Sequence, residues 1–66
     1  MEITVNGQVS RHPDGLTVAG LVESLGLEPQ RVAVELNRQI VPRSKHRQTQ
    51  LKDADQLEIV TLVGGG

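Results

Sequence analysis

The C-terminal residues are the ones whose types could do chemistry with a partner, because they combine a glycine run with a terminal carboxylate. Val63 is followed by Gly64, Gly65 and Gly66. Glycine has no Cβ, so such a run forms a thin thread that another surface can approach closely. Three extended residues reach about 10 Å, which is enough to enter a narrow active-site channel. Two interpretations are open at this point: a segment that an enzyme grips, or a frayed end or leftover linker.

The rest of the sequence lacks the side-chain combinations that enzymes and metal sites need. There is no cysteine, which rules out a disulfide, a zinc–thiolate site or a cysteine nucleophile within the sequence. His12 and His46 have no partner at a metal-ligand spacing, so we expect surface histidines and no metal site. The serines have no convincing base beside them: Ser10, Ser24 and Ser44. We therefore predict a protein that is not an enzyme and binds no cofactor of its own.

Composition and charge limit the class of partner. The chain has 66 residues, so we expect one domain with a thin core, which buries about 60% of the surface that the unfolded chain exposes. The net charge is −1 and Phe, Trp and Tyr are missing, which argues against binding to nucleic acid. No apolar run approaches the roughly 20 residues of a membrane span, and no signal peptide is recognisable. We expect a soluble, cytoplasmic protein that is monomeric when free and binds no membrane.

One local exception to the even charge distribution is a basic cluster between residues 38 and 47. Its members are Arg38, Arg43, Lys45, His46 and Arg47. Such a cluster could steer an acidic partner during association. We favour the alternative of an ordinary solvated loop.

The first half of the chain predicts a hairpin followed by a helix. Alternation from Glu2 to Val5 indicates a half-buried strand, and Asn6-Gly7 suits a type I′ turn into a second strand over 8–11. Thr17 is the predicted helix N-cap. The helix carries one apolar stripe at i, i+3, i+4 and i+7: Val18, Leu21, Val22 and Leu25.

Two glycines bear on the same helix. Gly26 follows the apolar stripe and is the expected C′ residue at which the helix ends. Gly20 lies inside the helix, where glycine costs about 1 kcal/mol relative to alanine. We interpret it as allowing a close approach of the helix to a sheet.

The second half predicts three more strands. Residues 32–36 alternate, Asn37-Arg38 is a tight turn, and residues 39–41 form a short strand that Pro42 stops. Residues 43–50 are polar, and we expect them to be irregular.

Leu51 is expected to anchor this irregular stretch in the core. Asp53 and Asp55 in the next turn are expected to bond to their own backbone rather than to a cation.

The last strand, residues 56–62, has an apolar face and a mixed face. The apolar face is Leu57 and Ile59, and the mixed face is Glu58, Val60 and Leu62.

This order of elements predicts an α+β fold of the β-grasp type. A single amphipathic helix needs one sheet face to cover, and a mixed sheet of four to five strands supplies it. The last strand is apolar, so we place it centrally, beside and parallel to the first strand. The predicted organisation is a β-grasp domain over residues 1–63 and a flexible glycine tail over residues 64–66.

Two segments of this pattern are distinctive. One is the run from Val32 to Arg43, which includes the sequence Ile-Val-Pro-Arg, and the other runs from Leu51 to Gly66. These segments resemble the ThiS family, the ubiquitin-like sulfur carriers of thiamine biosynthesis. The resemblance extends over the whole chain. It favours a working glycine tail over a linker remnant, with Gly64 as a spacer. It also marks Ala54 as a departure, since that turn often carries glycine in the family.

The resemblance implies a chemical role for the chain end. In such carriers an E1-like partner enzyme uses ATP to adenylate the carboxylate of the last glycine, here Gly66. A persulfide donor protein then converts it to a thiocarboxylate, and thiazole synthase receives the sulfur for the thiazole of thiamine. The carrier supplies no catalytic residue. Gly64, Gly65 and Gly66 are the expected contacts of the partners.

Val60 and Leu62 are expected to add a docking patch beside the tail, because exposed apolar residues near a functional end often mark an interface. The alternative is that residues 43–50 or a neighbouring strand cover them.

Three other functions stay open: a carrier of the kind that forms the small subunit of molybdopterin synthase, a modifier joined to lysines, or a β-grasp interaction module that is never activated.

Overall fold

A computed structural model of the protein describes residues 1–62. Over those residues the chain forms one mixed sheet and one α-helix. The strands are β1 (Glu2–Val5), β2 (Gln8–Arg11), β3 (Val32–Leu36), β4 (Gln39–Val41) and β5 (Gln56–Thr61). The helix α1 is Val18–Ser24, and single 3₁₀ turns occupy Pro29–Arg31 and Arg43–Lys45.

The sheet has the strand order β2-β1-β5-β3-β4. The last strand, β5, therefore lies at the centre, parallel to β1 and antiparallel to β3. Both hairpins, β1–β2 and β3–β4, are antiparallel. This arrangement confirms the predicted β-grasp fold and the central position of the last strand.

Both hairpin turns follow the predicted local chemistry. Asn6 and Gly7 have φ values of +51° and +83°, as a type I′ turn requires. Asn37 and Arg38 have φ values of +49° and +70° in the second turn. Arginine rarely adopts this conformation, so the β3–β4 turn is held by its surroundings as well as by its own sequence. Part of that support is the Asn37 side chain, whose Oδ1 accepts a hydrogen bond from the Gln56 N–H at 2.9 Å.

The helix begins and ends where the sequence predicts. The Thr17 hydroxyl accepts a hydrogen bond from the Gly20 N–H at 3.1 Å, which is the expected N-cap. At the other end Gly26 has a φ of +72°, and the Leu27 N–H donates to the Val22 carbonyl at 3.2 Å. That bond and the one from Gly26 N–H to the Glu23 carbonyl form a Schellman motif.

Two predictions about the helix are wrong. Leu25 is 47% exposed because it is the C-cap residue, where the helix has already ended, and Leu27 packs against the core instead. Gly20 does not lie against the sheet. A Cβ built at Gly20 would come within 2.8 Å of the Leu16 Cδ1, so its tight neighbour is the flexible side chain just before the helix.

The polar stretch 43–50 is more ordered than predicted, since its carbonyl groups cap the start of α1. The Val18 N–H donates to the Thr49 carbonyl at 2.9 Å, and the Ala19 N–H donates to the His46 carbonyl at 3.0 Å. These bonds satisfy two N–H groups that a helix start otherwise leaves unpaired.

The core lies between α1 and one face of the sheet. It is wholly aliphatic: Ile3, Val18, Leu21, Val22, Val32, Val34, Leu51, Leu57 and Ile59. Burying each such side chain stabilises the fold by about 1.5–3 kcal/mol. Leu51 is 4% exposed, which confirms it as the anchor of the loop before it.

No helix within residues 1–62 has the length and apolar character to cross a membrane.

The predicted limits of the domain are not described by the structure. The proposed boundary at residue 63 and the glycine tail 64–66 lie outside the described residues, so the division into domain and tail stays a prediction.

Candidate functional site

The candidate site is the end of β5, from which the C-terminal residues follow. One edge of β5 is hydrogen-bonded to β3 over the whole run from Val32↔Thr61 to Leu36↔Leu57. The strand pairing is extended by the Leu62 N–H, which donates to the Arg31 carbonyl at 2.7 Å. Backbone bonding therefore defines the position of the chain up to the last described residue. The predicted tail contacts Gly64, Gly65 and Gly66 lie outside the described residues.

The two faces of β5 differ as the alternation predicts. Leu57 and Ile59 are only 2% and 7% exposed and belong to the core. Val60 and Leu62 are 54% and 55% exposed. Neither residues 43–50 nor a neighbouring strand covers these two side chains, so that alternative is wrong. We call Val60 and Leu62 the exit surface. Their role in docking stays a prediction.

A pair of carboxylates lies next to the exit surface on the outward face of the sheet. Glu58 on β5 pairs directly with Glu35 on β3 in the antiparallel register. Like charges directly opposite each other in a sheet are destabilising. Within residues 1–62 neither carboxylate belongs to a salt bridge. Ile40 on β4 is opposite Glu35 and is 64% exposed.

The sequence analysis missed this surface as a unit. Each residue was assigned to a strand correctly, but only the register brings Glu35 and Glu58 together. The available signal was the alternation of side chains between the two faces of each strand, since residues opposite each other share a face. Without the register, that signal does not say which residues become neighbours.

A second feature of the same face is a hollow of about 340 Å³ at the start of β5. It is lined mainly by polar side chains: Thr4, Glu35, Asn37, Arg38, Gln56, Leu57 and Glu58. The hollow lies around the start of β5, whereas the exit surface lies at the end of that strand.

The histidines do not behave as a surface pair. His46 is only 3% exposed, so the prediction of a surface histidine is wrong. Its Nε2–H donates to the Val41 carbonyl at 3.0 Å, while Nδ1 has no hydrogen-bond partner among residues 1–62. His12 is partly buried, and its Nε2 lies 2.8 Å from the Ser10 hydroxyl. His46 thus joins the loop 43–50 to the strand before it.

The turn aspartates bond to the chain around them. The Asp55 Oδ2 accepts from the Lys52 N–H at 2.7 Å, as predicted for a residue bonded to its own turn. The Asp53 Oδ1 instead accepts from the Glu2 N–H at 2.8 Å and so ties the turn to β1. No group of three or more potential metal ligands occurs in the part of the chain that the structure describes.

A family model, a curated sequence and a solved structure all relate this chain to ThiS proteins. The ThiS family matches residues 1–66. The chain is 35% identical to the sulfur carrier protein ThiS of Escherichia coli, and the match covers both proteins completely. It also matches the crystal structure of a thiamine biosynthesis protein (ThiS) from Geobacter metallireducens. That match has a TM-score of 0.85 and 35% identity and covers both chains completely.

Another curated relative is longer. The chain is 41% identical over 66 residues to a thiazole synthase of Paramagnetospirillum magneticum, and it spans 20% of the length of that protein. A domain of this kind therefore occurs within a polypeptide named as the synthase. Together with the central β5, its exit surface and the β-grasp topology, these matches show that the chain belongs to the ThiS family of sulfur carrier proteins of thiamine biosynthesis.

Proposed function

We propose that the Gly66 carboxylate is the group on which this protein carries sulfur. An E1-like enzyme adenylates the carboxylate with ATP, and the charged chain then donates sulfur to thiazole synthase. The observation that carries the proposal is the hydrogen bonding of β5 up to Leu62, with Val60 and Leu62 exposed beside the exit. That arrangement offers an enzyme both a recognisable body and a chain end to take hold of.

The chemistry explains why activation is needed. A carboxylate is a poor electrophile because its negative charge repels nucleophiles. Attack of a carboxylate oxygen on the α-phosphorus of ATP releases pyrophosphate and gives an acyl adenylate. The terminal sulfur of a persulfide then displaces AMP. Cleavage of the resulting S–S bond by a second thiol leaves one sulfur on the carbonyl carbon as a thiocarboxylate and forms a disulfide.

The part of this chain is presentation rather than catalysis. Holding one reactive group at a set distance from a docking body raises its effective concentration in the partner's active site. The four residues beyond Leu62 can span at most about 14 Å. If an activating enzyme contacts the exit surface, the α-phosphorus of its ATP must therefore lie within about 14 Å of Leu62. We propose that ATP binds to the enzyme, that this chain holds no cofactor, and that the reaction takes place in the cytoplasm.

Thiazole synthase is proposed as the acceptor because a synthase relative contains a domain similar to this chain. Two proteins that act in sequence gain from being linked, since the linker raises their effective concentration. The persulfide donor is proposed only by its chemistry. Residues 1–62 offer no cysteine that could serve as the donor.

The decisive experiment is intact-mass spectrometry of the chain after incubation with the activating enzyme, ATP and a persulfide donor. The expected product has one oxygen replaced by sulfur at the C-terminus. Omission of ATP and deletion of both Gly65 and Gly66 are the two controls, and neither reaction should give the product. A chain that is never charged under complete conditions would contradict the proposal and favour an interaction module.

A second assay tests the acceptor. The charged chain is offered separately to thiazole synthase and to the large subunit of molybdopterin synthase. We expect loss of the sulfur from the carrier, and formation of the thiazole, only with thiazole synthase. Transfer to the molybdopterin enzyme alone would assign the chain to the other pathway.

A further inference from the structure

Asn6 makes three hydrogen bonds to the strand that carries the tail. Its backbone N–H donates to the Leu57 carbonyl at 2.9 Å. Its side-chain Oδ1 accepts from the Ile59 N–H at 2.8 Å, and its Nδ2 donates to the Ile59 carbonyl at 3.1 Å. The two side-chain bonds connect residues 53 positions apart in the sequence.

These bonds continue a strand pairing that the backbone has already left. The β1–β5 pairing ends at Val5↔Leu57, because the chain turns at Asn6 and Gly7. β5 continues to Thr61, so its edge on the β1 side extends beyond the partner strand. Opposite Ile59, the Asn6 carboxamide takes the place of the peptide group that a longer neighbouring strand would provide. It can do so because it offers a hydrogen-bond acceptor and a donor side by side.

Few residues could do this at position 6. The turn requires a φ of +51°, a conformation in which asparagine is enriched among residues other than glycine. Glycine would suit the turn but has no side chain, and aspartate would offer Ile59 an acceptor without the donor. The residue that suits the turn is therefore also the one that can hold the edge of β5.

The other edge of β5 is held by β3 and, at Leu62, by the Arg31 carbonyl. Asn6 at Ile59 and Arg31 at Leu62 thus hold opposite edges of the strand over its last four described residues. A strand end that is held on both edges leaves its sheet in one direction. A strand end that is held on one edge can fray and twist.

We infer that Asn6 is a positioning residue for the C-terminal segment. Its side chain sets the direction in which the chain leaves β5, and this lowers the ordering cost when an activating enzyme takes up the tail. The inference rests on the proposed function, because it concerns the capture of the same tail. It predicts a defect in capture rather than in the chemistry that follows.

The test compares two variants that each remove side-chain hydrogen bonding. Asn6→Gly keeps a residue that tolerates positive φ and removes both bonds to Ile59. Thr17→Ala removes the N-cap bond in α1, which does not lead into the tail. Steady-state rates of pyrophosphate release are measured with the activating enzyme, ATP, a saturating persulfide donor and a thiol reductant as the carrier concentration is varied.

We expect Asn6→Gly to raise the KM for the carrier about fivefold, because the tail must be ordered on binding, while kcat stays unchanged. Thr17→Ala should leave both constants unchanged. Amide hydrogen exchange of the free proteins supplies a readout that does not depend on the enzyme. Exchange at Ile59 and Leu62 should be faster in Asn6→Gly relative to the core amides, and Thr17→Ala should show no such local change.

The outcomes separate the inference from the proposed function. If Thr17→Ala raises the KM as much as Asn6→Gly, general stability is the cause and the inference is overturned. The inference also fails if the wild-type chain is charged and Asn6→Gly behaves identically. A wild-type chain that is never charged overturns the proposed function, and the inference falls with it. If Asn6→Gly does not fold, Asn6→Asp replaces it, with a KM increase again expected.

Discussion

Alternate residues of β5 face two different environments, and the contrast shows how one strand serves both stability and recognition. Leu57 and Ile59 face α1 and are almost completely buried. Val60 and Leu62 are equally apolar and more than half exposed. Because the side chains of a strand alternate between faces, the strand can keep its core contacts while its other face is available to a partner.

The buried face should give the largest effect on stability. We expect Leu57→Ala to lower the free energy of unfolding by about 2–5 kcal/mol, because it removes buried methyl groups and leaves a cavity. Urea denaturation measures the change. The matched control is Leu62→Ala on the exposed face, which should change the same quantity by less than about 0.5 kcal/mol. Equal losses in the two variants would contradict the division of β5 into two faces.

The exposed face should give the largest effect on recognition. We expect Leu62→Asp to weaken binding to the activating enzyme by about 1.5–3 kcal/mol, since a buried leucine contributes about that much. The midpoint of urea denaturation should stay close to that of the wild type. Calorimetric titration measures the affinity.

The control for Leu62→Asp is Val9→Asp on the edge strand β2, where the wild-type side chain is 63% exposed. It adds the same charge to an apolar surface position on a strand that β1 separates from β5, and binding should be unchanged. Equal weakening by the two substitutions would point to net charge rather than to the exit surface.

A change in the turn before β5 should separate stability from recognition. Ala54 has a φ of +71°, which is unfavourable for any residue with a Cβ. We expect Ala54→Gly to raise the free energy of unfolding by about 0.5–1 kcal/mol through relief of this strain. Thermal unfolding measures it, and affinity for the activating enzyme should not change. A lower melting temperature would show that the turn is not strained.

The smallest expected effect concerns the carboxylate pair on the outward face. Glu58→Gln removes the like-charge repulsion with Glu35, so it should stabilise the fold by about 0.2–1 kcal/mol. The gain should shrink as salt is added, because salt screens exposed charges. Denaturation at low and at high ionic strength tests this. Gln56→Glu is the contrast, since it adds a second carboxylate to β5, on the same face as the Glu35–Glu58 pair, and should destabilise.

The hairpins and the helix could be predicted from short stretches of the chain. Asn6-Gly7, Thr17 and Gly26 each act through bonds or dihedral angles within a few residues, and the structure confirms all three. The prediction that Leu25 would be buried failed because of where the helix ends. Leu25 was assigned to the apolar stripe by its spacing, but the helix ends before that residue can turn towards the core.

The burial of His46 could not be predicted from its neighbours. It lies in a polar, basic run that is typical of a solvated loop. Its side chain is buried because the loop folds over the start of α1, where its carbonyl groups complete the hydrogen bonding of the helix. Long-range closure of this kind depends on packing between elements, which a local pattern does not contain.

By itself the sequence determined the order of the elements, the two faces of β5 and the glycine run that follows it, because dihedral preferences and side-chain alternation act over a few residues. Only the tertiary structure decided which residues meet across strands. Asn6 reaches Ile59, and Glu35 faces Glu58, through the strand register. Register follows from how all the strands pack against one helix, so it is a property of the assembled sheet.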